Sequence, residues 1–266
     1  MGLLLRHISC SKDHIAFSAA LSDFAGQAAA VMKEHNGQMV YSGGDDVMAY
    51  LPVHSCLNAA DALRHCFADC MKSVIPTNSD IHPTLSIGII IAHMLEPLEE
   101  VRQLALAAEK HAKQKRNALA IHVHKRSGGD SMRASYPFSN DPVQRMQQMA
   151  GWLRSDSPQC SAKFAYELRD MYRQYMNMPA SQWLLDAEEA GRLIRSELER
   201  LAFKKKPEDA SHESVRTWLD NELLPMYQPD EEPLEALRQL AEQMIITIQL
   251  EEAGHSHEAT NTSTAT

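Results

Sequence analysis

The 266-residue sequence has no apolar run approaching the roughly 20 residues that cross a bilayer. Its opening MGLLLRHISCSKDH has neither a basic leader nor an apolar stretch of ordinary signal length. These absences speak against a membrane protein and a secreted one, and predict a cytoplasmic chain with no membrane partner. No CxxC pair occurs among the five cysteines, at 10, 56, 66, 70 and 160, and an odd number cannot close a disulfide framework, so reduced thiols are expected. Basic charge is scarce. Residues 1–130 carry 12 Lys/Arg against 13 Asp/Glu and residues 131–266 carry 14 against 22, giving the net charge of -9. An acidic C-terminal half is a poor electrostatic match to phosphates. Aromatic residues reach only 6%. Those of the C-terminal half, with Met146 and Met149, read as helix core and not as a base-stacking platform.

What the sequence does hold is patterned. Phe17, Leu21, Phe24, Ala28 and Val31 recur at helical spacing between Ser11 and about His35, and Gly37 stops that helix. Gln38 to Ser42 and Val47 to Leu51 form two short β-prone runs around Gly43-Gly44-Asp45-Asp46, a hairpin with GGDD at its turn. Leu57 to Met71 is a second helix. Leu85-Ser-Ile-Gly-Ile-Ile-Ile-Ala-His93 is apolar enough to predict a strand in a sheet interior. Pro97 opens a helix to about Arg116 with Leu98, Val101, Leu104, Ala105 and Ala108 inward, and Leu119 to Val123 is a last strand. The order predicts an α+β layer, residues 1–130, with helices on one face of a mainly antiparallel sheet.

After a polar stretch from Ser131 to Asp141, helical patterns at about 142–154, 161–176, 180–203, 211–226 and 231–252 predict a second, all-α domain over residues 131–252. Trp183 with Leu184, Leu193 with Ile194, and Trp218 with Leu219 are its candidate core pairs. Residues 253–266, without large apolar side chains, are expected to be a disordered tail.

Two chemistries fit the GGDD turn. Gly and Asp are ordinary turn formers. Adjacent carboxylates on a tight turn also suit a hard divalent cation, and glycines let a phosphate approach the backbone. A hairpin with acidic residues at its turn, on a sheet backed by helices, is the layout of polymerase and cyclase palms, where two metals clamp phosphoryl transfer.

Tyr41-Ser-Gly-Gly-Asp-Asp46, Leu85-Ser-Ile-Gly-Ile89 with His93, Ala112-Lys-Gln-Lys-Arg-Asn117 and Arg126-Ser-Gly128 stand in this order. Together they resemble the second palm of the large subunit of type III-B (Cmr-type) CRISPR-Cas effector complexes, and the helical remainder resembles that subunit's C-terminal domain. The resemblance implies a ferredoxin-like, GGDEF-related palm in an antiviral complex that, with target RNA bound, makes cyclic oligoadenylates from ATP. It implies Mg²⁺ (or Mn²⁺) on Asp45 and Asp46, nucleotide beside the backbone of Ser42, Gly43 and Gly44, and triphosphate near Lys113. Partners would be the other effector subunits, with guide RNA and target RNA reached through the complex. In the family a strand with a DGD-like motif precedes the point that Met1-Gly2-Leu3-Leu4-Leu5 continues. The chain is therefore expected to begin just after that motif, lacking the first strand as well as the upstream nuclease-type domain and first palm. The rival expectation is an inactive fragment that docks neighbouring subunits.

Other constellations are weaker. His54, Cys56, His65, Cys66 and Cys70 are either zinc ligands or, for the thiols, small buried hydrophobes. Ser86 and His93 either line the site or are satisfied core groups. Lys113 shares its helix face with Lys110, Lys115 and Arg116, which a merely solvated face would also explain. Lys204-Lys-Lys206 is too short to indicate RNA binding.

Overall fold

A computed structural model describes residues 11–44, 46–74, 83–124, 132–154, 159–178, 185–229 and 232–263. The chain divides into two compact units, residues 1–143 and 144–266. The boundary lies beyond residue 130 because a strand missed in the sequence belongs to the first unit.

That unit begins with α1 (Ser11–Glu34), whose buried side chains Phe17, Ala20, Phe24, Ala28 and Met32 form one helical stripe. It faces Ala59, Leu63, Phe67 and Met71 of α2 (Cys56–Met71), with the Phe24 and Phe67 rings edge to face at 5.1 Å. Burying each Phe contributes about 1.5–3 kcal/mol. Contrary to the sequence expectation, His14–Glu34 is long and apolar enough to pass for a membrane span. Its alanines raise the hydropathy, while Phe17, Phe24 and Met32 are spent on the core and Ile15 is exposed. Asn36, at φ 58°, ends α1 and turns the chain into β1.

β1 (Gln38–Gly43) and β2 (Asp46–Tyr50) pair antiparallel, from Gly43 opposite Asp46 to Gln38 opposite Tyr50, with a bulge between Met39 and Tyr41. This hairpin packs on α1. A separate three-stranded sheet has the order β3-β4-β5. β3 (Ile87–Ile91) runs parallel to β4 (Ala118–Val123), joined by α3 (Leu98–Lys115), and β5 (Met132–Pro137) returns antiparallel to β4. The expected mainly antiparallel layer is thus, among the described residues, two small sheets with a parallel crossover in one. The isoleucine-rich strand is not interior in this sheet. β3 is half-buried throughout with β4 as its partner, whereas β4 is buried at every residue. Hydrophobicity marks which surfaces avoid water without saying where in a sheet a strand stands.

Leu98 is likewise exposed at 68%, not inward, and Ala108 and Ala112 carry the deepest contact of α3 instead. At Gly88 a Cβ would stand 2.2 Å from the Glu109 amide nitrogen and 2.5 Å from the Ala108 carbonyl carbon. The helix backbone therefore rests directly on β3. On β4, His122 is 5% exposed and its Nε2 lies 3.0 Å from His111 Nδ1 on α3. Burial, then His111 and Arg133, bring its pKa down to about 4.

The second unit is helical: α4 (Pro142–Arg154, its first two residues falling in the first unit), α5 (Ala162–Met176), α6 (Ala187–Lys204), α7 (His212–Trp218), a π-helical turn Leu219–Leu223, α8 (Leu224–Met226) and α9 (Pro233–Ser263). α9 packs on α5 and α6, with Leu237, Leu240, Ala241, Met244, Ile245, Ile246 and Ile248 buried around much of its circumference. Trp218 meets the Trp152 and Phe164 rings at 5.4 and 5.7 Å. Asp186 and Ser211 cap α6 and α7 by accepting from the amides of Glu189 and Ser214. Trp183 and Leu184 lie outside the described residues. α9 runs on to Ser263 where a disordered tail was expected. A lack of large side chains predicts little packing, but helical hydrogen bonding runs through the backbone and needs none.

Two outcomes check this packing. Gly88→Ala should lower the stability of the first unit by about 1–3 kcal/mol in urea unfolding. Gly26→Ala, in the exposed middle of α1 where a Cβ meets nothing within 4 Å, should raise it by about 0.5–1 kcal/mol. For His122 the folded pKa lies below the unfolded value of about 6.5, so its contribution is complete above that pH and is lost as pH falls toward about 4. The thermal midpoint should fall over that window, and His122→Asn should flatten the fall.

Candidate functional site

Gly43 and Asp46 face each other at the end of the hairpin with only two residues of sequence between them, the first of which is Gly44. Gly44 has φ +68°, the left-handed region that a two-residue hairpin needs at its first position. A Cβ there would meet nothing within 4 Å, so the outer side of the turn is open. Gly43 is crowded: a Cβ would lie 2.0 Å from the Tyr41 hydroxyl, whose ring is folded over it. Asp46 opens β2 with its side chain exposed. Asp45 lies outside the described residues. Ser42 donates its hydroxyl to the Ala25 carbonyl of α1 at 2.9 Å, which ties the turn to the helix beneath it.

Lys113 stands in the last turn of α3, 58% exposed and ion-paired with Glu109 one turn earlier. Lys115, two residues on, donates to the Ser135 carbonyl of β5 at 3.2 Å. α3 packs against β3, β4 and β5, while the hairpin packs on α1. Ser42, Gly43, Gly44 and Asp46 are thus brought together, with Lys113 held on a different set of neighbours. Ser86 is half-buried ahead of β3. His93 is exposed, and its Nδ1 accepts from the Leu95 amide at 3.2 Å, so it is not a core group. The Arg126-Ser-Gly128 segment lies outside the described residues.

The thiols behave as hydrophobes. Cys56 is 6% exposed, donates to the Val53 carbonyl, and is pushed by burial up to about 12. Burial, with Cys70 beside it, raises Cys66 to about 11. His65 is engaged by Asp61 through both its carbonyl and its carboxylate. Of the Lys204–Lys206 run, Lys205 pairs with Glu167 and Lys206 donates to the Ala210 carbonyl. One cluster went unnoticed in the sequence: Glu96, Glu100 and His124, whose ligand atoms lie within 4.8 Å of one another. Its only sequence signal is a Glu-x₃-Glu at a helix start; the histidine stands 24 residues further on and is brought in by the crossover.

Residues 1–120 match the family described as Cas10/Cmr2, second palm domain. A protein of Pyrococcus furiosus named CRISPR system Cmr subunit Cmr2 is 34% identical over 129 residues, which are 46% of this chain and 14% of that relative. The Saccharolobus solfataricus protein named CRISPR system CMR subunit Cmr2 is 30% identical over 100 residues, 32% of this chain and 10% of that relative. The alignments thus span a small part of either relative. The matched region holds α1, the GGDD hairpin, α2, β3, α3 and the start of β4, an α+β arrangement in the order expected of a palm. Over residues 1–120 the chain is therefore similar to the second palm domain of the Cas10/Cmr2 family.

Proposed function

We propose that this palm serves in the large subunit of a type III-B effector complex, in the cytoplasm, as the nucleotidyltransferase site that joins ATP into cyclic oligoadenylates when target RNA is bound. The observation that carries the proposal is the two-residue turn within the matched region, with Gly44 at positive φ and Asp46 exposed beside it. An open-sided glycine next to an exposed carboxylate is a donor set that fits a hard divalent cation with a phosphate against the backbone.

Asp45 and Asp46 would hold the Mg²⁺ or Mn²⁺, and the ion would supply positive charge where the attacking and leaving oxygens develop negative charge. The chain's own residues do the rest. Gly44 leaves its side of the turn open to a phosphate, while the Tyr41 ring covers Gly43. Ser42 anchors the turn to α1, so that the carboxylates have a fixed platform. Lys113 is the countercharge for triphosphate oxygens, released from Glu109 when the more highly charged phosphate competes for it. That same ion pair also supports the second reading, an inactive palm whose chain docks other subunits, since a lysine satisfied within its own helix needs no nucleotide.

The two readings separate in the assembled complex with guide RNA and target RNA. Asp45→Asn or Asp46→Asn should lower synthesis from ATP by about 100-fold or more, and Lys113→Gln by about tenfold. With this chain alone, Mn²⁺ binding in the presence of ATP should weaken in Asp46→Asn. Undiminished synthesis in both aspartate variants, with target cleavage and assembly intact, would establish the docking reading.

A further inference from the structure

The crossover from β3 through α3 to β4 leaves Glu96, Glu100 and His124 at one end of the parallel pair. His124 follows the last residue of β4, and its amide donates to the Ile91 carbonyl at the end of β3 at 2.8 Å. Glu96 lies in the turn leaving β3, its amide donating to the His93 carbonyl at 2.9 Å. Glu100 is exposed in the first turn of α3. The neighbouring Glu99 is not part of the group, being held by Arg102 and Gln103.

Glu96 is the anomaly. Its side chain is 8% exposed, yet its Oε1 is buried without a hydrogen-bond partner. Among the described residues, His124 Nε2 stands 3.9 Å from it, too long for a hydrogen bond. A carboxylate oxygen buried without a donor is costly, and such groups are normally found paired or on a metal. Here the unsatisfied oxygen belongs to a set of one imidazole and two carboxylates whose donor atoms all lie within 4.8 Å of one another. Donors at about 2.0–2.2 Å from a tetrahedral ion stand roughly 3.3–3.6 Å apart, so small side-chain rotations would close the set around one ion.

We propose that Glu96, Glu100 and His124 bind a divalent transition cation, with Zn²⁺ the best match. One nitrogen and two carboxylate donors suit an ion of intermediate hardness better than Mg²⁺, which favours oxygen alone. Three protein ligands leave a position for water. The site is separate from the GGDD turn and does not rest on the nucleotide proposal. The bound ion clamps the exits of β3 and β4 to the first turn of α3.

The test is a Zn²⁺ titration of the metal-stripped full chain by calorimetry, without nucleotide, in a His255→Asn, His257→Asn background that removes the histidines near the C-terminus. One ion per chain should bind and raise the thermal midpoint. Glu96→Gln or His124→Asn should weaken binding by at least the roughly 10–100-fold that even a supporting residue is worth at a metal site. Glu100→Gln, an exposed change that leaves folding intact, should weaken it about tenfold. Asp46→Asn should leave it unchanged, and X-ray absorption should show nitrogen and oxygen neighbours without sulfur. No saturable binding, binding indifferent to Glu100→Gln, loss in Asp46→Asn, or a sulfur ligand would each overturn the proposal.

Discussion

The first unit depends on a contact in which a side chain has no room. At Gly88 the backbone of α3 comes against β3, closer than any Cβ permits. Ala108 and Ala112, both fully buried, keep the same helix face flat. Small residues on both sides let a helix settle on two parallel strands at short range, and that fixes the crossover. The exits of β3 and β4 then fall beside the start of α3, which assembles Glu96, Glu100 and His124. The last turn of α3 lies at the opposite end of the same helix and carries Lys113. One steric constraint thus determines where two sets of polar groups stand.

The hairpin obeys a different logic. It is held by α1 and not by the β3-β4-β5 sheet among the described residues, through the packing of Met39, Val47 and Ala49 on the α1–α2 core and the bond from Ser42 to Ala25. Gly44 at its tip is free of packing demands, and the sequence Gly-Gly-Asp-Asp is one that a tight turn and a charged ligand both select. This double use explains why GGDD alone decides little from sequence, and why the exposed Asp46 and left-handed Gly44 carry more weight once they are seen on a two-residue connection.

Legibility in the sequence followed the physical signal. The stripe of α1 and the amphipathic α2 were readable because each buries one face at a regular period, the strand pair because Gly-Gly-Asp-Asp separates two β-prone runs, and the five helical stretches because prolines and polar residues divide long apolar patterns. β5 was not. Met132-Arg-Ala-Ser-Tyr-Pro137 has no β-branched residue, and only the alternation of Met132, Ala134 and Tyr136 hinted at it. The position of β3 in its sheet and the parallel pairing were invisible because both depend on contacts distant in sequence. The Glu96–His124 cluster was hidden for the same reason. Of the candidate site, Ser42, Gly43, Gly44 and Asp46 stand on one hairpin by their adjacency in sequence, while Lys113 has a partner in its own helix.

The central claim is that the GGDD turn receives a metal-bound nucleotide, and the most direct measurement is amide NMR of the chain with Mn²⁺, with and without ATP. ATP-dependent paramagnetic broadening should centre on the amides of Gly43, Gly44 and Asp46 and should disappear in Asp46→Asn. Broadening that spares these amides, or that persists in the variant, would contradict the account.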